Sequence, residues 1–306
     1  MIANFVRLLC LRICPALACL ALPALALEPR PPATAPATND TARLVNIASR
    51  AGTTTGGGTL IAGFVITGPG TKTVLVRGVG PGLANFGLSG LLPNPKITLF
   101  DSASRPLANN DDFDPSVTPA GLVSGVGAFA LTEKNDSALV ATLAPGSYTV
   151  VLADTADRPG IALIEVYAAD SGTARISNLS TRALVGPDAA TVIGGIVVQG
   201  DKPRRFMIRG IGPTLTGFGV PGVLADPILA LTTANGVLIA SSDDWGSDRS
   251  PADIGNTAAA VGAFPLPRGS KDAAMLVTLA PGSYTALLGG TNNTSGVALL
   301  EVYEAP

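Results

Sequence analysis

This sequence states its pattern twice. Arg77-Gly78-Val79-Gly80-Pro81 returns as Arg209-Gly210-Ile211-Gly212-Pro213, and Leu143-Ala144-Pro145-Gly146-Ser147-Tyr148-Thr149 returns as Leu279-Ala280-Pro281-Gly282-Ser283-Tyr284-Thr285. A copy of about 130 residues is too long for a solenoid unit and falls within the range of a domain, so whatever fold is assigned to one half must also suit the other. The first copy spans 42–170 and the second 174–306. They run in step from Ala42/Ala174 to Asp112/Asp244; the second then gains four residues between Trp245 and Leu279. Insertions collect where backbone is exposed, which makes that stretch a surface loop. Only Ser171-Gly172-Thr173 joins the copies, too short a tether to let them part.

Within each copy, short runs of Val, Ile, Leu and Thr are cut by Gly, Pro, Asn and Asp, the signature of an all-β sandwich or barrel. In the first copy strands are expected at 43–48, 59–66, 73–77, 96–100, 105–108, 138–143, 147–152 and 161–167, with the last two forming a hairpin. Several runs are continuously apolar, and their shortness and Gly/Pro flanks favour strand over buried helix. Short helices fit only Gly82 to Leu88 with its copy, and Val117 to Val126 with its copy Pro251 to Val261. There Ser250, Pro251 and Asp253 supply a cap, a first-turn proline and an early acid. The predicted fold class is all-β: two tandem β-sandwich domains of jelly-roll type, each expected to hold its own core and fold alone.

The first 26 residues read as an export signal: Arg7 and Arg12 precede an apolar run from Ile13 to Leu27 that ends near small Ala24 and Ala26. That run is shorter than the ~20 residues needed to span a bilayer, and no later stretch is longer without Gly, Pro or charge. Ala16, three before Cys19, stands where a lipoprotein signal usually has Leu, which favours simple cleavage. Residues 27–41, rich in Pro, Ala and Thr, read as an extended linker. The expected location is secreted or cell-surface, with the periplasm as the alternative compartment.

All three cysteines (Cys10, Cys14 and Cys19) lie in the signal, so the exported chain must be held by packing rather than disulfides. Histidine is absent. This removes Ser-His and Cys-His nucleophiles, the usual base near neutral pH and His-based zinc sites, leaving carboxylate, lysine, tyrosine or calcium chemistry. The net charge of −2 becomes about −4 once Arg7 and Arg12 are lost, and the remaining Lys and Arg are scattered, so nothing points to nucleic acid.

Gly78 to Gly82 follows a strand like a phosphate loop. It lacks the Gly-x-Gly-x-x-Gly spacing, and Thr214 replaces Gly82 in the second copy, so a tight strand exit needing positive φ is the expected role. Arg77 and Arg209 end apolar strands, while Glu165 and Glu301 sit inside others; an Arg–Glu pair within each sandwich would satisfy both buried charges. The acidic loops are the candidate site. Asn110, Asp111, Asp112 and Asp114 in copy one, and Asp243 and Asp244 in copy two, offer the hard oxygens that calcium takes, though not in EF-hand spacing. The competing reading is an Asx turn whose following aromatic, Phe113 or Trp245, plugs the core. Adjacent carboxylates poorly fit a glycosidase pair, and the matched Tyr148, Tyr167, Tyr284 and Tyr303 fit packing better than sugar stacking. Asp170-Ser171-Gly172 looks like an aspartic-protease triplet but has no second copy to supply a partner carboxylate.

The segments Arg209-Gly210-Ile211-Gly212-Pro213, Asp226-Pro227, Asp243-Asp244-Trp245, Pro281-Gly282-Ser283-Tyr284-Thr285 and Leu299-Leu300-Glu301-Val302-Tyr303, with their first-copy counterparts, resemble an uncharacterised repeat of secreted bacterial proteins. Copy one departs from it at Asn94 and Phe113. The Pro-Gly-Ser-Tyr-Thr element, read as a hairpin, is similar to that of pre-peptidase C-terminal β-sandwich modules, which accompany secreted enzymes. The resemblance implies a β-rich exported module and transfers no catalytic residues. The expected function is non-catalytic binding, adhesion or spacing at the cell surface, towards an unidentified protein or glycan. The alternatives are a calcium-dependent carbohydrate-binding module and a carboxylate-only hydrolase.

Overall fold

The computed structural model describes residues 43–56, 58–186, 191–247 and 250–306; the segments read from sequence as an export signal (1–26) and a linker (27–41), and Ala42, lie outside them. Copy one forms β1 (Arg43–Thr53), β2 (Leu60–Thr67), β3 (Lys72–Val79), β4 (Pro95–Asp101), β5 (Pro106–Asn110), β6 (Ser137–Leu143), β7 (Gly146–Asp154) and β8 (Gly160–Ala168). Copy two repeats them as β9 (Arg175–Val185), β10 (Val192–Gln199), β11 (Arg204–Ile211), β12 (Pro227–Thr233), β13 (Leu238–Ser242), β14 (Ala273–Leu279), β15 (Gly282–Gly290) and β16 (Gly296–Glu304). Helices are brief, as expected: α1 (Ala120–Gly125), α2 (Pro251–Ala260) and six-residue 3-10 segments at Pro81–Phe86 and Pro213–Phe218; three-residue 3-10 turns also occur at Trp245–Ser247 and Thr291–Asn293.

Antiparallel pairing runs in the order β6-β3-β8-β1-β10-β15-β12-β13 in one sheet and β14-β11-β16-β9-β2-β7-β4-β5 in the other, and the two are linked at a single β1–β9 pair, Gly52 opposite Leu184. Numbered by position within a copy, both sheets read 6-3-8-1 followed by 2-7-4-5. Each copy is thus a jelly-roll sandwich, and the two are joined edge to edge about a pseudo-two-fold, with β1 on β10 and β2 on β9. The duplication reaches the dihedral angles: Gly87 and Gly219 both close their 3-10 turns at φ 73°.

Strict alternation in β2 buries Leu60, Ala62, Phe64 and Ile66 between the sheets. The buried cluster is continuous across both copies, from Leu44 and Phe64 through Ile196 to Leu300 and Val302, so the interior is shared rather than one core per copy. Each fully buried Leu, Ile or Val contributes about 1.5–3 kcal/mol, which explains stability without disulfides.

A second layer lies outside the sandwich. Leu75 and Val79 of β3 face away from the shared core, under the segment between β5 and β6 that carries α1, together with Val123 and Leu131. In copy two Met207 of β11 does the same beneath Ile254 and Ala258 of α2. The extra residues of copy two lie in this covering segment, where α2 has ten residues against six in α1.

Two local expectations are corrected. β7 and β8 do not form a hairpin, nor do β6 and β7: their partners lie in opposite sheets, so each connection arches across the sandwich. Jelly-roll topology leaves β4–β5 and β12–β13 as the hairpins of consecutive strands. The arch after β6 is stapled by Tyr148, whose hydroxyl donates to the Ala144 carbonyl at 2.8 Å, as Tyr284 does to Ala280. The glycines at Gly78, Gly80 and Gly82 do not adopt positive φ. They are needed for close approach: a Cβ on Gly80 would stand 2.1 Å from the Leu92 carbonyl oxygen, and Gly212 meets Leu224 likewise.

Candidate functional site

The expected Arg–Glu pairs exist in both copies, on the outer face of the sheet beneath the helical cover. Arg77 of β3 stands opposite Glu165 of β8, and Arg209 of β11 opposite Glu301 of β16. Both arginines are 0% exposed. Arg77 Nε donates to Glu165 Oε2 at 2.8 Å, its Nη1 to the Phe129 carbonyl, and its guanidinium stacks 4.1 Å from the Phe129 ring. Arg209 repeats this with Glu301 at 2.8 Å and the Phe264 carbonyl at 2.6 Å. Tyr167 and Tyr303 donate to the remaining carboxylate oxygens at 2.7 and 2.9 Å. Burial, and then the neighbouring carboxylate, push both tyrosine hydroxyls above their usual range. The charges and their partners are spent on one another, an arrangement for holding the cover on the sheet.

A second buried acid was not singled out in the sequence, although Asp136 and Asp272 both immediately precede a strand. Asp136 Oδ1 accepts from Gly80 N at 2.8 Å and Gly82 N at 3.3 Å, and Asp272 does the same for Gly212 and Thr214. In copy two the Thr214 hydroxyl also donates to Oδ2. Copy one has Gly82 there, so the Oδ2 of fully buried Asp136 lacks a partner, and burial raises its pKa.

The acidic loops behave differently in the two copies. In copy one Asn110 Oδ1 accepts from Ala138 N at 2.9 Å, Asp112 pairs with Lys134 at 3.4 Å, and Asp111 is exposed. Asp114 Oδ1 accepts from Ser116 N at 2.7 Å, which lowers its pKa and makes an Asx turn. In copy two Asp243 and Asp244 meet Asp226, all three offering oxygens within 4.8 Å of one another. Burial and then the Asp226 and Asp244 charges raise the Asp243 carboxyl, while Lys271 sits 2.5 Å from Asp226. Asp226 was legible only as half of Asp226-Pro227; its first-copy counterpart, Asn94, cannot complete such a triad. Trp245 is 7% exposed and donates to the Pro267 carbonyl at 3.1 Å, so it plugs the core rather than forming a shelf.

Asp170 latches the linker. Its carboxylate accepts from Lys72 Nζ and Gly172 N, both at 2.8 Å, and from Thr73 N. Although burial opposes ionisation, these donors hold its pKa down at about 2. Cavities of 290, 340, 460 and 540 Å³ open on the described residues, each lined by at most one carboxylate. Among the described residues no helix is long and apolar enough to cross a membrane.

No protein-family model matches this chain, and no curated protein matches it. Among solved structures, a DUF4785 family protein from Legionella pneumophila aligns over 90% of this chain and 88% of its own at 10% identity and a TM-score of 0.20. The STIV MCP aligns over 86% and 88% at 11% identity, also with a TM-score of 0.20. At these scores neither alignment bears on fold or function.

Proposed function

We propose that this chain is an exported, non-catalytic module that binds, adheres or acts as a spacer at the cell surface. The observation that supports it is the fusion of two jelly rolls through continuous sheets, with the buried Arg77–Glu165, Arg209–Glu301 and Asp272 groups committed to internal partners. Such a body offers a stiff frame, and its information lies on its surface. The test is to produce the chain with its own first 26 residues and ask whether it reaches the outside of the cell, accessible to added protease or antibody, and binds whole cells or a glycan array. Retention inside the cell would end this reading.

The calcium-dependent carbohydrate reading has one observation in its favour, the meeting of Asp226, Asp243 and Asp244. Lys271 already neutralises part of that cluster, which favours the metal-free reading. Calcium at 100 times its Kd would stabilise the fold by about 2.7 kcal/mol, so a melting temperature indifferent to calcium and to chelator disposes of the calcium version.

A further inference from the structure

The cover of copy two is longer than that of copy one, and it walls in space that the duplication does not demand. Counted back from the shared Val126-Gly127-Ala128-Phe129 and Val261-Gly262-Ala263-Phe264, α1 matches 255–260, so 251–254 are an added helical turn. Between α2, the loop that follows it and Trp245 opens a cavity of 290 Å³. Its inner wall is Trp245, Ile254 and Ala258, all buried, and its floor includes the fully buried Arg209 of β11. Gly255, Ala259 and Pro265 are exposed and form the mouth. In copy one Val123, itself buried, stands where Ala258 does, and the smaller residue of copy two leaves room that its neighbours do not close.

We propose that this cavity is a binding site for a small neutral molecule with a flat apolar body and one hydrogen-bond acceptor, of the class of aryl ketones and esters. Size, lining and charge choose that occupant. An apolar cavity of ~150 Å³ takes up benzene, so 290 Å³ has room for a ring and its substituent. Trp245 supplies an aromatic wall for the ring. Arg209 sets the polar end: three of its N–H groups donate to Glu301 and the Phe264 carbonyl, and the other two have no acceptor among the described residues. Glu301 already balances the guanidinium charge, so a ligand carboxylate would stand there as a second, unpaired anion. An ammonium or an N–H donor would face N–H groups. A neutral acceptor matches what is left. The proposal does not rest on the cell-surface reading above.

Ligand-observed NMR titration of the full chain tests it with probes of one size: acetophenone as acceptor, N-ethylaniline as N–H donor and benzoate as anion. Acetophenone should bind with a Kd of about 1 mM or below, and the other two at least about fivefold more weakly. Ala258→Val, which installs the residue of copy one, and Gly255→Leu, at a mouth position where a Cβ meets nothing within 4 Å, should each weaken acetophenone at least about fivefold by taking up its space. Ala252→Leu, exposed on the same helix and outside the cavity lining, should leave it unchanged. Circular dichroism verifies that the variants fold. Absence of acetophenone binding, equal binding of N-ethylaniline or benzoate, a Kd indifferent to both cavity variants, or equal loss with Ala252→Leu would each overturn the proposal.

Discussion

Arg209→Met tests the account of the covering layer. The substitution leaves Glu301, 5% exposed, with only the Tyr303 hydroxyl and strips the Phe264 carbonyl of its donor. Removing one member of a buried pair costs about 3–5 kcal/mol, because the other is left charged and unsolvated. At about 2–4 °C per kcal/mol for a chain of this size, that is a fall of roughly 6–20 °C in Tm. Replacing both members by apolar groups is near neutral in comparable cases, so adding Glu301→Leu should recover most of the loss. Adding Tyr303→Phe should recover about 1 kcal/mol more by removing the stranded hydroxyl. The assay is urea unfolding followed by circular dichroism and by Trp245, the single tryptophan, which packs in one cluster with Ile254 and Ala258 of the cover. A single substitution costing less than about 1 kcal/mol, or a triple variant as unstable as the single, would refute the reasoning. A fluorescence transition preceding the dichroic one would locate the damage in the cover rather than the sandwich.

Two pH predictions have opposite signs. Asp170 has a folded pKa of about 2, below its unfolded value, so its contribution is present at neutral pH and is lost as pH falls from the ordinary carboxylate range towards 2; Asp170→Asn should flatten that part of the acid-unfolding curve. Asp136 is raised, so its contribution is present in acid and lost as pH climbs through the folded pKa; Asp136→Asn should remove that loss, measured as Tm against pH.

Much of the fold was legible because two copies agreed. Alternation and punctuation placed all eight strands of copy one, and the charge logic of Arg77 and Glu165 found their pairing before any geometry. Partners of strands were not legible, because β7 and β8 carry the same local signals whether they turn back on each other or arch between sheets. The glycines of Gly78 to Gly82 misled for a related reason: the sequence shows that a side chain is absent, not whether a dihedral or a neighbouring carbonyl demands it. The candidate metal cluster was half legible. Asp243 and Asp244 are adjacent in sequence, but Asp226 joins them only through the placement of its loop beside theirs, and residues such as Asn110 are claimed by backbone groups distant in sequence.

Because the first and second strands of either copy bond to the second and first of the other, one copy alone holds both sides of the junction. A polypeptide with a single copy would meet its twin only above a threshold set by their affinity. Fusion through three residues converts that encounter into an intramolecular one, at an effective concentration on the order of millimolar. Assembly of the two copies then no longer depends on how far the protein is diluted.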